Sequence, residues 1–103
     1  MAQQPIHIIQ ATGFWQRFRG LMLVNALPRD QALLIQHCSS VHTCFMRFAI
    51  DVVYLNEQML IVQLDRNIPP WRMRWGGKDA RHTLEMSAGG IDRFKLHIGG
   101  TID

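Results

Sequence analysis

The residue types best suited to chemistry lie in one apolar segment of the chain, residues 38–55. Four polar or polarisable side chains are set there among Val, Ile and aromatic residues that favour a β-strand: His42, Met46, Arg47 and Asp51. Because an unpaired buried charge is strongly destabilising, these groups must either pair within a structural network or line a site. Together with Thr43 they would make a small polar pocket, which is our candidate ligand site.

Thiol and imidazole groups in this segment raise the questions of metal binding and of nucleophilic catalysis. Along a strand that rises ~3.3 Å per residue, Cys38 and Cys44 would lie about 20 Å apart, too far for a disulfide or a shared ion. Cys44 and His42 project to the same side, but no glycine-rich elbow or oxyanion loop accompanies them. The sequence therefore predicts free thiols, no metal, no cofactor and no catalytic cysteine; copper or zinc binding stays an alternative only if residues 39–41 turn sharply. The residues that could bind zinc are spaced differently from any recurrent zinc-binding motif. They are His37, Cys38, His42 and Cys44.

Asp51 is expected to find a cationic partner. Arg47 would lie about 13 Å away along a straight strand, so contact between the two requires a bend at residues 48–49. Alternatively, Arg17 or Arg19 reaches Asp51 from an upstream helix, and we predict the bidentate Arg19–Asp51 pair as a structural link between helix and sheet. A different hypothesis makes His42 and Asp51 the acid/base pair of a small hydrolase or isomerase.

The segment 69–78 is the second candidate site. Its Pro and Gly residues predict a long loop without regular structure, in which Trp71 and Trp75 alternate with Arg72 and Arg74 and precede Lys78. Aromatic rings beside cations can stack on the bases of single-stranded nucleic acid or anchor a protein partner. Alternatively, both indoles fold back and cap the open end of the fold. We retain Trp71, Arg72 and Trp75 as candidate binding residues.

Short strand patterns separated by turns must position these residues. The sequence predicts strands over residues 6–9, 32–36, 42–45, 50–55, 59–64 and 82–86, with a weak strand over 98–102. Short helices are predicted over residues 14–19 and within 87–97, the second with Ile91 and Phe94 on its inner side. The expected fold is therefore mainly β, a compact antiparallel β sandwich or barrel-like single domain with one or two short helices.

Composition is consistent with a globular domain. The 103 residues are 48% hydrophobic and 18% charged, which excludes a disordered chain and predicts one domain spanning residues 1–103. The net charge of +3 favours anionic partners without demonstrating one. Neither a secretory signal nor an apolar stretch of about 20 residues is visible, so the expectation is a cytoplasmic protein that does not enter a membrane.

Several motifs resemble those of the DUF192 family. They are Arg19-Gly-Leu-Met22, the run His42–Leu55, Pro70-Trp-Arg72 and Leu84-Glu-Met-Ser-Ala-Gly89. Two positions depart from the family pattern, which usually has an aromatic residue or Gly in place of Cys44 and a Pro in place of Ala49. The resemblance implies a compact, mostly β domain, and it carries no substrate, cofactor or catalytic residue.

These observations leave three hypotheses of function. The first is a non-enzymatic accessory module that binds a small ligand or a protein through residues 42–51 and 71–75. The second is the small enzyme that uses His42 and Asp51. The third is a weak binder of single-stranded nucleic acid through residues 71–78, although no established nucleic-acid-binding motif is present.

Overall fold

Two β-sheets and a short helix form the described part of the protein. The computed structural model describes residues 6–10, 29–43 and 47–102. In chain order the elements are β1 (His7–Gln10), β2 (Gln31–Ile35), β3 (Ser40–His42), β4 (Ile50–Leu55), β5 (Ile61–Ile68), β6 (Met73–Trp75), β7 (His82–Ser87) and α1 (Gly90–Arg93). The larger sheet, here the main sheet, has the strand order β1-β2-β7-β4-β5, and β3 pairs with β6 in a two-stranded antiparallel sheet that we call the ribbon.

The centre of the main sheet is buried on both faces. Every residue of β4 is buried, as expected for a central strand with a nearly continuous apolar sequence. Side chains of β4 enter two cores in alternation, because successive residues of a strand face opposite sides. Tyr54 packs in one core with Val41 of the ribbon, and Val53 packs in the other with Ile91 of α1. The ribbon therefore covers one face of the main sheet, and α1 covers the other.

The prediction of a mainly β, sandwich-like fold with few helices is confirmed. In the described ranges the two sheets stack without closing into a barrel. The pairing is antiparallel as predicted, except that β1 runs parallel to β2. Ile91 and Phe94 are fully buried, as predicted for the inner side of the last helix. The predicted helix over residues 14–19 lies outside the described residues, and the extent of the single domain stays a prediction.

The prediction that residues 69–78 lack regular structure is wrong. Met73–Trp75 form β6, whose three residues pair with Trp75 opposite Ser40 and Met73 opposite His42. A nearby feature that favours this pairing is Gly76, because a Cβ at that position would collide with the ring of Tyr54. Glycine thus lets the end of the ribbon approach the main sheet closely.

The predicted strand over residues 98–102 is also wrong. Gly99 adopts the left-handed conformation with φ 92°, which turns the chain. The N–H of Gly99 donates to the carbonyl of Ile61 at 2.8 Å, and the carbonyl of Gly100 accepts from the N–H of Ile61 at 2.9 Å. The segment thus makes two hydrogen bonds to the start of β5 and no ladder.

Candidate functional site

The predicted site residues separate into an inner and an outer group. Thr43 and Asp51 are buried, at 0% and 1% exposure. The outer group is exposed and comprises His42, Arg47, Trp71, Arg72 and Trp75. Met46 lies outside the described residues. The structure therefore does not bring the seven described residues together in one pocket.

The carboxylate of Asp51 accepts three hydrogen bonds from the backbone. Its Oδ1 accepts from the N–H of Asn67 at 2.8 Å, and its Oδ2 accepts from the N–H groups of Gly89 and Ile91 at 3.1 and 3.0 Å. Asn67 has φ 56° and lies where the β4–β5 register shifts at a β-bulge. Gly89 and Ile91 lie at the start of α1, where backbone N–H groups lack helical partners. Asp51 therefore fastens both the bulge and the helix to β4.

The other proposed partners of Asp51 are His42 and arginines, of which Arg17 and Arg19 lie outside the described residues. The Arg19–Asp51 ion pair stays a prediction, since Arg19 lies outside the described residues. His42 is exposed on the solvent side of the ribbon, whereas Asp51 points to the opposite face of the main sheet, toward Ile91. The geometry required for an acid/base pair of His42 and Asp51 is thus absent between these two described residues.

Thr43 holds the segment that leads into β6. Its hydroxyl donates to the carbonyl of Pro69 at 2.7 Å and accepts from the N–H of Arg72 at 2.8 Å. Its backbone N–H donates to the carbonyl of Arg72 at 2.8 Å, and its carbonyl accepts from the N–H of Trp71 at 3.1 Å. These bonds fix Trp71 in a left-handed conformation with φ 65°. Thr43 therefore acts as a positioning residue for the exposed tryptophan.

Replacing Thr43 with Val should lower the free energy of unfolding by about 2 kcal/mol, because the hydroxyl that links the N–H of Arg72 to the carbonyl of Pro69 is lost. Urea denaturation at neutral pH measures this loss. Thr43→Ser is the matched control: it keeps the hydroxyl and should retain more of the stability. A larger loss in the Ser variant than in the Val variant would show that the methyl group, and not the hydroxyl, holds the segment.

Three large side chains in β6 and just before it are exposed. Trp71, Met73 and Trp75 are 58%, 77% and 65% exposed. Met73 and Trp75 lie on the same side of β6, and His42 lies directly opposite Met73 on β3. We call these four residues the ribbon face. Sequence reasoning missed Met73, although its position midway between the two tryptophans was a visible signal.

The arginines of this segment turn back onto the backbone. Arg72 Nη1 donates to the carbonyl of Trp71 at 3.2 Å, and Arg74 Nη1 donates to the carbonyl of Met73 at 2.9 Å. Arg74 is half-buried on the side of β6 that faces the main sheet, where its charge acts on Tyr54. Apart from His42 the ribbon face is consequently apolar, and the guanidinium group of Arg74 lies on the other side of β6.

The thiol and imidazole groups near β3 form a structural cluster. Cys38 is a half-buried free thiol whose Sγ donates to the carbonyl of Ser40 at 3.0 Å. The N–H of His37 donates to Nδ1 of His82 at 3.0 Å, and burial, reinforced by His37, lowers the pKa of His82. The described residues contain no group of three or more His, Cys, Asp or Glu side chains that could hold a metal ion. Cys44 lies outside them.

A buried carboxyl that the sequence analysis did not single out lies between the main sheet and the ribbon. Glu85 of β7 is 5% exposed, and burial raises its pKa to about 7. It stands between Leu33 and Val52 on neighbouring strands. Tyr54 of the same core donates to Asp65 Oδ2 at 3.1 Å, and burial and Asp65 raise the pKa of this phenol. A glutamate at a core position of a strand was the available signal.

Comparison with known proteins identifies the family. The DUF192 family model, described as an uncharacterized ACR, matches residues 1–103. The chain belongs to the DUF192 family. It is 36% identical over 101 residues to a UPF0127 protein of Thermococcus sibiricus, covering 90% of this chain and 62% of that protein. It is 31% identical over 105 residues to a UPF0127 protein of Pyrococcus furiosus, covering 95% and 86%. The chain thus spans less than two thirds of the Thermococcus sibiricus relative.

Two crystal structures share the DUF192 fold of this chain. One is a Sinorhizobium meliloti protein described as a "putative transcription regulator", with a TM-score of 0.79, 18% identity, and coverage of 89% of this chain and 76% of that chain. The other is a protein of unknown function from Novosphingobium aromaticivorans, with a TM-score of 0.80, 13% identity, and coverage of 91% and 71%. At these identities the likeness shows the fold. Among the described residues, no helix is long and apolar enough to cross a membrane.

Proposed function

We propose that this DUF192 protein is a non-enzymatic accessory module that binds a protein partner through the ribbon face. The observation that carries the proposal is the exposure of Trp71, Met73 and Trp75, each of which is more than half exposed. Tryptophan dominates the binding energy of protein interfaces, and methionine adapts its shape to different partners. Large apolar side chains placed together on the surface mark an interaction site more often than single ones do.

The buried polar residues support a binding role over catalysis. Both oxygens of Asp51 are occupied by backbone N–H groups, and the hydroxyl of Thr43 is occupied by the Pro69–Arg72 segment. These two residues shape the surface without contributing reactive groups to it. The groups that reach solvent are instead the large side chains of the ribbon face, on a short ribbon held in place by hydrogen bonds.

The arrangement of charge favours a protein over single-stranded nucleic acid. A nucleic-acid surface interleaves stacking aromatics with cations that reach the phosphates. Here the guanidinium groups of Arg72 and Arg74 fold onto backbone carbonyls, and Arg74 lies on the side opposite Met73 and Trp75. Nucleic acid is therefore an alternative outcome of the test, recognisable by a steep loss of binding with salt.

Replacing Trp75 with Ala should weaken partner binding at least tenfold without a comparable loss of stability, since the indole is mostly exposed in the free protein. The measurement begins with nuclease-treated lysate passed over immobilised wild type and variant. The protein retained by wild type is then purified, and its affinity for both chains is measured by calorimetry.

Ile98→Ala is the matched control, because Ile98 is an exposed apolar residue in the turn that follows α1. It should bind the purified partner as wild type does. Equal affinities of wild type and the Trp75 variant would overturn the proposal. A second result would also overturn it: if the lysate is not treated with nuclease, the immobilised protein retains only nucleic acid, and this binding is lost as the salt concentration rises.

A further inference from the structure

The outer edge of β6 carries backbone groups that no other strand of the described residues pairs with. The Thr43–Arg72 and Ser39–Gly76 pairs are hydrogen-bonded, with N···O distances of 2.8 and 2.9 Å. Hydrogen-bonded pairs alternate along an antiparallel ladder, so Arg74 directs its N–H and C=O toward β3. Met73 and Trp75 direct theirs to the opposite side, where no further strand of the described ranges is placed.

We propose that the partner is an extended, acidic segment of another protein that adds to this edge as a third strand of the ribbon. This inference rests on the proposed function and specifies its partner class. Strand addition supplies affinity through main-chain hydrogen bonds and specificity through alternate side chains. The outward-directed backbone groups of Met73 and Trp75 supply the first component, once Arg74 releases the carbonyl of Met73. The ribbon face supplies the second.

Charge complementarity indicates the composition of the added strand. Side chains of an extended segment alternate, so one set meets the apolar ribbon face and the other meets the side on which Arg74 lies. Arg72, exposed directly before β6, and Lys78, exposed three residues after it, add positive charge on either side of β6 in the sequence. A segment in which apolar and acidic residues alternate matches both sides of β6.

In the free protein Arg74 blocks part of the outer edge of β6. Its Nη1 donates to the carbonyl of Met73 at 2.9 Å, which occupies an acceptor that an added strand requires. A carboxylate of the incoming strand would attract the guanidinium by a stronger, charge-assisted bond and release this carbonyl. The same cation disfavours pairing of β6 with β6 of a second copy, because like charges would then meet along the edge.

The test uses the full chain and a display library of random linear peptides of about ten residues. Selection should yield peptides in which apolar and acidic residues alternate. The selected peptide is synthesised and titrated into labelled protein while amide hydrogen exchange is followed by NMR. Exchange at Met73 and Trp75 should slow at least tenfold on saturation. The N–H of Arg74, already directed toward β3, serves as the internal control and should change little.

N-methylation of the peptide gives a second readout. Methylating alternate amides in one register should weaken binding at least tenfold, and methylating the other register should be tolerated, because only one set of amides faces β6. Arg74→Gln should favour neutral peptides over acidic ones in a repeated selection. Sedimentation of the free chain is expected to show that it does not self-associate through β6. A wild-type dimer that Arg74→Gln strengthens, because the like charges are then removed, would overturn the assigned occupant.

The two proposals fail in different ways. Peptide binding that requires Trp75, with unchanged exchange at Met73 and Trp75 and tolerance of N-methylation in both registers, would overturn strand addition and leave the ribbon face as the docking surface. Strand addition would also be overturned, and the ribbon face retained as the docking surface, if no peptide were selected while the purified partner binds through the ribbon face. Binding that is insensitive to Trp75→Ala would overturn both.

Discussion

Replacing Asp51 with Asn is expected to lower the free energy of unfolding by about 3 kcal/mol, a large part of the stability of a small domain. The isosteric amide keeps the volume but offers one acceptor oxygen in place of two. If that oxygen serves Gly89 and Ile91, the amide NH2 faces the N–H of Asn67, and two donors then oppose each other in a buried place. Urea denaturation at neutral pH measures the change.

Asp92→Asn is the matched control for this experiment. Asp92 lies on α1 itself and pairs with Arg66 at 3.2 Å, but both side chains are exposed. Exposed ion pairs contribute on the order of 0.5 kcal/mol, so this variant should remain close to wild type. Similar stabilities of the Asp51 and Asp92 variants would mean that the bulge and the helix do not depend on the buried carboxylate.

The secondary structure of this protein could be predicted where the residues of one short segment determine it. β4 follows from a run of Val and Ile that ends at the Asn56-Glu57-Gln58 turn, and the predicted bounds match those of the structure. The buried side of the last helix follows from the spacing of Ile91 and Phe94. In each case the signal lies within a few neighbouring residues, and packing reinforces the local preference.

The role of Asp51 could not be predicted, because its partners are distant and belong to the backbone. The N–H groups that it binds lie 16, 38 and 40 residues further along the chain. Every non-proline residue carries such a group, so side-chain chemistry alone directs attention to an arginine instead. The residue was correctly singled out as a buried charge that needs compensation.

β6 was missed for a related reason. Pro70 and Gly76 are strong local signals against a regular element, and a three-residue strand has almost no pattern of its own. What makes it a strand is pairing with β3, far away in the sequence. Trp71 and Trp75 were recognised as binding candidates, but their exposure could be settled only once the ribbon was in place.

The Glu85 carboxyl should make the protein less stable as the pH rises. Burial raises its pKa from an ordinary value of 4.5 to about 7. Between these values the unfolded chain releases a proton that the folded chain retains, so the free energy of unfolding falls with rising pH. Since one pKa unit is worth about 1.4 kcal/mol, this group alone lowers the stability by about 3 kcal/mol between pH 4 and pH 8.

Glu85→Gln should remove this dependence, because the amide does not titrate. We expect the difference in unfolding free energy between variant and wild type to change by about 3 kcal/mol from pH 4 to pH 8, in favour of the variant at the higher pH. Burial lowers the pKa of His82, so the contribution of this residue decreases the stability of the protein as the pH falls, opposite to the effect of Glu85. Because His82 is present in both proteins, its contribution cancels in the difference.

Glu57→Gln is the control, because Glu57 lies exposed in the turn between β4 and β5 and a surface substitution of this kind has a small effect. Denaturation curves at several pH values decide the question. A constant difference between the Glu85 variant and wild type at every pH would mean that the carboxyl ionises in the folded state as readily as in the unfolded chain. The space between the main sheet and the ribbon would then admit water, and the ribbon would be less firmly packed than its contact with Tyr54 implies.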